Sequence, residues 1–261
     1  MSDETYSKRA ARAAYGWGRE RNWDDALALA AEAARAGEPE AERQLALVTQ
    51  APIADLLQPP TPDRQSLVSR IGIARGYAPP GFSEWLIDRA KDRLVVAPVN
   101  DASGQGVRTA RAAPFGPQHR DLVLAIMQQR GGRMSGAKVA LHEPPNVISY
   151  LPGQEFRLHV DFVEPNVPQF HEELERIGQR SATIVTYLND DFEGAETFFP
   201  DAGVKFRGAT GDAIIFSNLL PDGTPDYNSG HCALPPTRGR KWVLSQWIRT
   251  KPYPYPPELL A

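Results

Sequence analysis

Five histidines stand out in the chain as residues able to bind metal or move protons: His119, His142, His159, His171 and His231. His159 lies in EFRLHVDF, residues 155–162, where apolar and polar residues alternate as in a β-strand. Side chains at i and i+2 of a strand point the same way. The pattern therefore places Glu155, Arg157, His159 and Asp161 on one face and Phe156, Leu158, Val160 and Phe162 on the other. His159 and Asp161 would sit about 6–7 Å apart along the strand, close enough to meet at one divalent cation. A solvated outer face of an amphipathic strand presents the same pattern, and a lone H-x-D motif does not separate the two.

His231 adds a third donor. It opens the run HCAL after the turn-rich PDGTPDYNSG. In a barrel or sandwich, early and late strands can be neighbours, which would bring His231 to the His159–Asp161 pair. Two neutral imidazoles and one carboxylate on one face of Fe(II) leave three positions open, the donor set of non-haem iron oxygenases. Zn²⁺ could take the same trio with water in the fourth position. The remaining histidines suit solvated or capping roles: His119 in a charged helical context, His142 before two prolines, His171 in a polar segment.

Ten residues after His231 comes Lys241, which opens KWVLSQWIR. Alternation puts Lys241, Val243, Ser245, Trp247 and Arg249 on one face, with Trp242, Leu244, Gln246 and Ile248 opposite. If the first face turns inward, an ammonium lies deep beside the metal and requires an anion. A dicarboxylate bound to the metal at its other end would supply one. An exposed lysine on an outer strand is the alternative.

The elements that must position these residues fall into two halves. Residues 24–37, DDALALAAEAARAG, read as a helix with Asp24 or Asp25 as N-cap and Gly37 as its stop, and 38–48 as a second helix with Pro39 in its first turn. With AARAAYGWGRERNW before them they resemble a single Sel1- or TPR-like helical unit, expected to act as a cap over residues 1–57. Residues 58–138 are expected to hold a breaker (QPPTPD), a short helix within RQSLVSRIGIARG, a helix N-capped by Ser83, and a helix over 119–132 ended by two glycines. From 139 to 261 short β-branched and aromatic runs alternate with Gly, Pro, Asn and Asp, indicating a sandwich or barrel of about eight strands. Residues 164–180 interrupt them as a polar, proline-containing lid candidate.

Taken together, residues 147–249 resemble the 2-oxoglutarate- and Fe(II)-dependent oxygenases of the prolyl 4-hydroxylase type. VISYLPGQEFRLHVDF, RSATIVTYLNDDFEGAETFFP and GDAIIFSNLLPDGTPDYNSGHCALPPTRGRKWVLSQWIR fall in the family's order and spacing. Upstream, GVRTARAAPF resembles the Arg-Thr segment ahead of the catalytic barrel. The resemblance implies an α+β fold with a double-stranded β-helix (jelly-roll) core and flanking helices. It implies Fe(II), 2-oxoglutarate and O2, with ascorbate as reductant. By the same likeness His159, Asp161 and His231 are the iron ligands, Lys241 holds the distal carboxylate of 2-oxoglutarate, and Tyr150 and Thr183 hydrogen-bond that co-substrate. Trp247, Phe156, Arg108 and Glu143 would face the substrate, the last two in a peptide groove. The carboxylate of Asp161 leaves no room for halide, so hydroxylation is the expected reaction. The implied substrate is a prolyl residue in a peptide or protein. Departures at Phe156, Ala110, Leu158 and Arg249 keep a free amino acid or small metabolite open. A non-catalytic helical adaptor is the reading from another class, opposed by the intact trio and Lys241.

Composition narrows the partners. The 261 residues are 41% hydrophobic and 23% charged, enough to bury a core. A net charge of −3 points away from nucleic acid and acidic membrane surfaces. No apolar run approaches the roughly 20 residues that span a bilayer. Cys232 is the sole cysteine, so no intrachain disulfide forms, and a cytoplasmic location is expected by elimination.

Overall fold

The computed structural model of the chain describes residues 4–96 and 109–255. Two antiparallel sheets face each other. The larger runs Asp63–Arg64, Gly72–Ala74, Ala213–Ser217, Arg180–Tyr187, Lys241–Arg249, Asn146–Tyr150, Arg111–Pro114, Val95–Val96. The smaller runs Val204–Phe206, Thr197–Phe199, His231–Ala233, Phe156–His159. This is the jelly-roll core with outer helices that the pattern of short strands implied, and each of the eight runs read as strands after residue 139 forms one.

Period-2 alternation divides the larger sheet between two cores. Ile148, Tyr150, Tyr187, Ile214, Phe216 and Val243 face the smaller sheet. Val147, Ile184, Ala213, Leu244 and Ile248 face the helices. On that outer side lie the helices Phe82–Ala90 and Leu122–Ser135 and, over them, Tyr6–Tyr15, Trp23–Arg35 and Ala41–Val48. Small residues let the first two helices approach closely: Ala10, Ala13, Ala14, Ala26 and Ala30 are buried in the same cluster as Trp85, Leu124 and Leu244. The amino-terminal helices thus share one core with the sheet.

A buried polar chain crosses these layers. The Tyr15 hydroxyl donates to Gln128 Oε1 (2.9 Å), and Gln128 Nε2 donates to Gln246 Oε1 (2.8 Å). Gln246 Nε2 then donates to the carbonyls of Glu143 (2.8 Å) and Trp247 (2.9 Å).

Several local expectations are corrected. The second helix starts at Trp23, and its N-cap is Asn22, which accepts from the Asp25 amide. The third helix starts at Ala41, leaving Pro39 outside it. Gly81, at φ 77°, precedes Phe82–Ala90, while Ser83 is buried within that helix. In place of a helix within 64–76 there is a short 3₁₀ turn and the edge-proximal strand Gly72–Ala74, paired with Ala213–Ile215. Segment 58–138 therefore supplies strands as well as helices. The helix Leu122–Ser135 runs through Gly131 and Gly132 and stops at Gly136, φ 75°. Those two glycines serve packing: a Cβ on Gly132 would meet the Ala137 carbonyl at 2.7 Å, and one on Gly131 would crowd Ile184 and Tyr77 at 3.2 Å. Residues 164–180 hold a 3₁₀ turn and the helix His171–Ile177. Among the described residues no helix is long and apolar enough to cross a membrane.

Candidate active site

His159 closes one strand of the smaller sheet and His231 opens its neighbour, and the two are direct cross-strand partners. Asp161 departs from the expected alternation. The strand ends at His159, and Asp161 sits just beyond it in a bend. The bend still turns the carboxylate back to the imidazoles: His159 Nε2 is 3.5 Å from Oδ1 and His231 Nε2 is 3.8 Å from Oδ2. One donor atom from each residue lies within 4.8 Å of the others.

The ring nitrogens are assigned by their surroundings. His159 Nδ1 lies 2.8 Å from the Arg157 carbonyl and His231 Nδ1 lies 3.0 Å from the Ser229 carbonyl. A carbonyl accepts only, so each Nδ1 carries a proton, and Nε2 is the ring atom turned toward Asp161 and left for a metal. Aromatic rings hold the imidazoles in plane: Phe156 stacks on His159 at 3.4 Å between centroids, and Phe199 and Phe216 flank His231 at 5.1 and 4.6 Å. Burial, reinforced by His159, pushes His231 down to about 4, which keeps it neutral near pH 7. Burial alone would raise Asp161, but His231, His159 and Arg180 outweigh it and hold the carboxyl far below the usual range. Two imidazole Nε2 atoms and a carboxylate facing one point fit a divalent cation.

The pocket beside this trio lies between the sheets and is lined by Tyr150, Phe156, Lys241, Val243, Ser245 and Trp247, among others. Lys241 is 1% exposed. Its Nζ donates to the Ala195 carbonyl (2.8 Å) and the Tyr187 hydroxyl (3.5 Å). Among the described residues it forms no ion pair; Glu196 acts on it only at longer range. Burial consequently lowers it from 10.5 to about 7. Tyr150, its cross-strand partner, presents a ring centroid 5.4 Å from Nζ, and Tyr187 one at 4.7 Å.

The remaining expected site residues are placed differently from one another. Trp247 lines the pocket, with the Arg180 guanidinium carbon 4.2 Å from its ring centroid. Thr183 is fully buried and does not line the pocket; its hydroxyl donates to Asp161 Oδ2 at 2.7 Å. Glu143 is buried and gripped by Arg180 (Nε–Oε1 2.7 Å, Nη2–Oε2 3.1 Å) and by Arg249. These arginines outweigh its burial and hold its carboxyl below the usual range. Arg108 lies outside the described residues. Arg180, Asn218 and Tyr187 were not singled out from sequence. Arg180 and Tyr187 carried a signal, since they begin and end the strand that also bears Thr183.

Comparison with known proteins yields a consistent set. Residues 145–249 match the 2OG-Fe(II) oxygenase superfamily. Prolyl 4-hydroxylase 13 of Arabidopsis thaliana is 31% identical over 191 residues, 65% of this chain and 67% of that protein. A prolyl 4-hydroxylase-like protein of Acanthamoeba polyphaga mimivirus is 36% identical over 112 residues, 42% of this chain and 46% of the relative. The chain also spans 31% of the length of the rat prolyl 4-hydroxylase subunit alpha-1, so it covers less than half of two of these relatives. The crystal structure of a viral collagen prolyl hydroxylase from Paramecium Bursaria Chlorella virus-1, in its 2OG complex, superposes with a TM-score of 0.53 at 24% identity, covering 68% of this chain and 94% of that one.

Proposed function

Because the chain belongs to the 2OG-Fe(II) oxygenase superfamily, we propose that it hydroxylates an unactivated C–H bond of a prolyl residue in a peptide or protein. When bound, Fe(II) with 2-oxoglutarate and O2 supplies that chemistry: C–H becomes C–OH while the co-substrate loses CO2 and becomes succinate. His159, Asp161 and His231 would hold the iron, and Lys241 the distal carboxylate of 2-oxoglutarate.

The observation that carries the reading is Lys241: a buried amine with no ion pair among the described residues, in the same pocket as a metal-competent trio. A buried charge without a partner is costly, so such a group fits a site completed by an anion. Phe156, Phe199 and Phe216 pack against the imidazoles. Trp247, backed by Arg180, forms a flat wall against which a substrate ring could be oriented. Ascorbate is the proposed reductant for keeping the iron ferrous.

One observation favours a second reading, hydroxylation of a free amino acid or small metabolite. The Glu143 carboxylate is already taken by Arg180 and Arg249, so it is not available to line a peptide groove. Anaerobic addition of Fe(II) and 2-oxoglutarate should give a visible charge-transfer band that His159→Ala, Asp161→Ala and Lys241→Met each weaken. On admitting O2, mass spectrometry of proline-containing peptides beside free amino acids should show a gain of one oxygen in the peptides, with matching succinate. Oxygen gained only by free amino acids would replace the first reading with the second. Neither chelate band nor succinate with any substrate would sink both.

A further inference from the structure

Asp161 is held from an unexpected direction. Because it lies beyond its strand, no ladder fixes its backbone; Arg180 Nη1 reaches its carbonyl at 3.3 Å. Its side chain is set by a buried chain of two further residues. Asn218 Nδ2 donates to Thr183 Oγ1 at 3.0 Å, and Thr183 Oγ1 donates to Asp161 Oδ2 at 2.7 Å. Thr183 and Asn218 are both 0% exposed.

The direction of these bonds follows from donor and acceptor counts. A threonine hydroxyl has one proton. With an amide N–H filling one acceptor site, that proton can go to the carboxylate, which only accepts when ionised. Asn218 is itself anchored at both ends of its peptide unit. Its amide donates to the Ser181 carbonyl (2.9 Å), and its carbonyl accepts from the Asp226 amide (3.0 Å). Thr183 lies mid-strand between Phe216 and Trp247 in register. The hydroxyl therefore stands on rigid backbone and is committed to Asp161 Oδ2.

We propose that Thr183, oriented by Asn218, is a positioning residue that fixes the rotation of the Asp161 carboxylate and so selects which oxygen it offers to the cation. The inference rests on the metal-site reading above, and it gives Thr183 a role toward the metal ligand in place of a hydrogen bond to 2-oxoglutarate. Oδ2 is engaged by the hydroxyl, and Oδ1 is the oxygen left to the trio. Partners that orient ligands in this way typically change metal affinity by about 10- to 100-fold when removed.

The test begins with Co(II) alone on the full chain under anaerobic conditions and adds 2-oxoglutarate only in a final titration. Calorimetry should show Co(II) bound about 10- to 100-fold more weakly by Thr183→Val, with Thr183→Ser restoring affinity because it restores the hydroxyl. The Co(II) visible spectrum should change in Thr183→Val as the freed carboxylate takes a different coordination mode. At saturating Co(II), 2-oxoglutarate affinity should be unchanged. Wild-type Co(II) affinity and spectrum in Thr183→Val, or loss of 2-oxoglutarate affinity alone, would overturn the proposal. Should Thr183→Val not fold, Asn218→Ala decides: it leaves the hydroxyl unguided and should weaken Co(II), and unchanged affinity would overturn the relay. A wild-type chain that binds Co(II) at the trio but forms no succinate would sink the oxygenation reading and leave the relay standing.

Discussion

Arg180 lies over the ring of Trp247 while its guanidinium grips Glu143 through two parallel hydrogen bonds. The same carboxylate is shared with Arg249, which is 1% exposed and also donates to the Gly178 carbonyl and to Glu173. One wall of the pocket is therefore tied through two arginines to the helix His171–Ile177. That helix, in the segment read from sequence as a lid, is latched to the end of the last strand of the larger sheet.

Removing the latch should be costly. Arg249→Met leaves Glu143 with one cation in place of two and frees Glu173. Breaking a buried ion pair from one side costs about 3–5 kcal/mol, and urea denaturation should show a loss near the lower end, because Arg180 still holds Glu143. Hydrogen exchange over 171–177 should quicken more than over 180–187. Equal change in both segments would count against a latch.

Gly178 offers an independent probe of the same junction. It has φ 68° and ψ −175°, a region close to glycine-only. A Cβ there would meet Thr250 Oγ1 at 2.2 Å and the Lys251 amide nitrogen at 2.9 Å. Gly178→Ala should therefore lower stability by about 1–3 kcal/mol from backbone strain alone, measured by thermal and urea unfolding. A neutral substitution would mean that the turn relaxes without strain.

The buried amine sets a pH dependence with a definite sign. Lys241 is lowered to about 7 in the folded chain, against 10.5 when solvated. Between those values the unfolded chain holds a proton there that the folded chain lacks, so stability rises with pH across that window. Below about 7 both states are protonated and the full penalty remains. Lys241→Met should therefore stabilise the ligand-free chain most at pH 6–7, and its advantage should shrink as pH climbs toward 10. Urea midpoints of both proteins across that range check this; a constant offset would show that the amine is charged and satisfied throughout.

The interlayer chain predicts a long-range effect of a small change. Tyr15→Phe removes one oxygen and leaves Gln128 Oε1 without its donor in a dry setting. A buried polar group left unsatisfied costs about 1–3 kcal/mol, visible as a lower urea midpoint. Following with Gln128→Leu should cost less than the sum of the two single changes, since both cut the same chain.

What sequence could and could not reveal follows physical range. Alternation in KWVLSQWIR put Lys241, Val243, Ser245 and Trp247 on one face, and all four line the pocket. Strand period is a local signal, and here it held from Lys241 to Ile248, up to the register shift before Arg249. It misled at EFRLHVDF, because the strand stops at His159 and the bend that follows is set by Thr183 and Arg180, about twenty positions away. Glu143 could not be read as a buried ion-pair centre, since its partners lie 37 and 106 residues along the chain. Gly131 and Gly132 read as a helix stop because their true constraint, the close approach of Ala137, Ile184 and Tyr77, is tertiary. The strand Gly72–Ala74 was hidden because an apolar run that short carries no period of its own.

The alanine face of Tyr6–Tyr15 shares its contacts with Trp85, Leu124 and Leu244, and Tyr15 reaches Gln246 through Gln128. A protease nick between 57 and 63 should thus yield two fragments that co-elute as one particle and part only in denaturant. Evolution would likewise find these helices hard to exchange for another amino-terminal module, since any replacement must reproduce both a close-packed surface and a hydroxyl at one point on it.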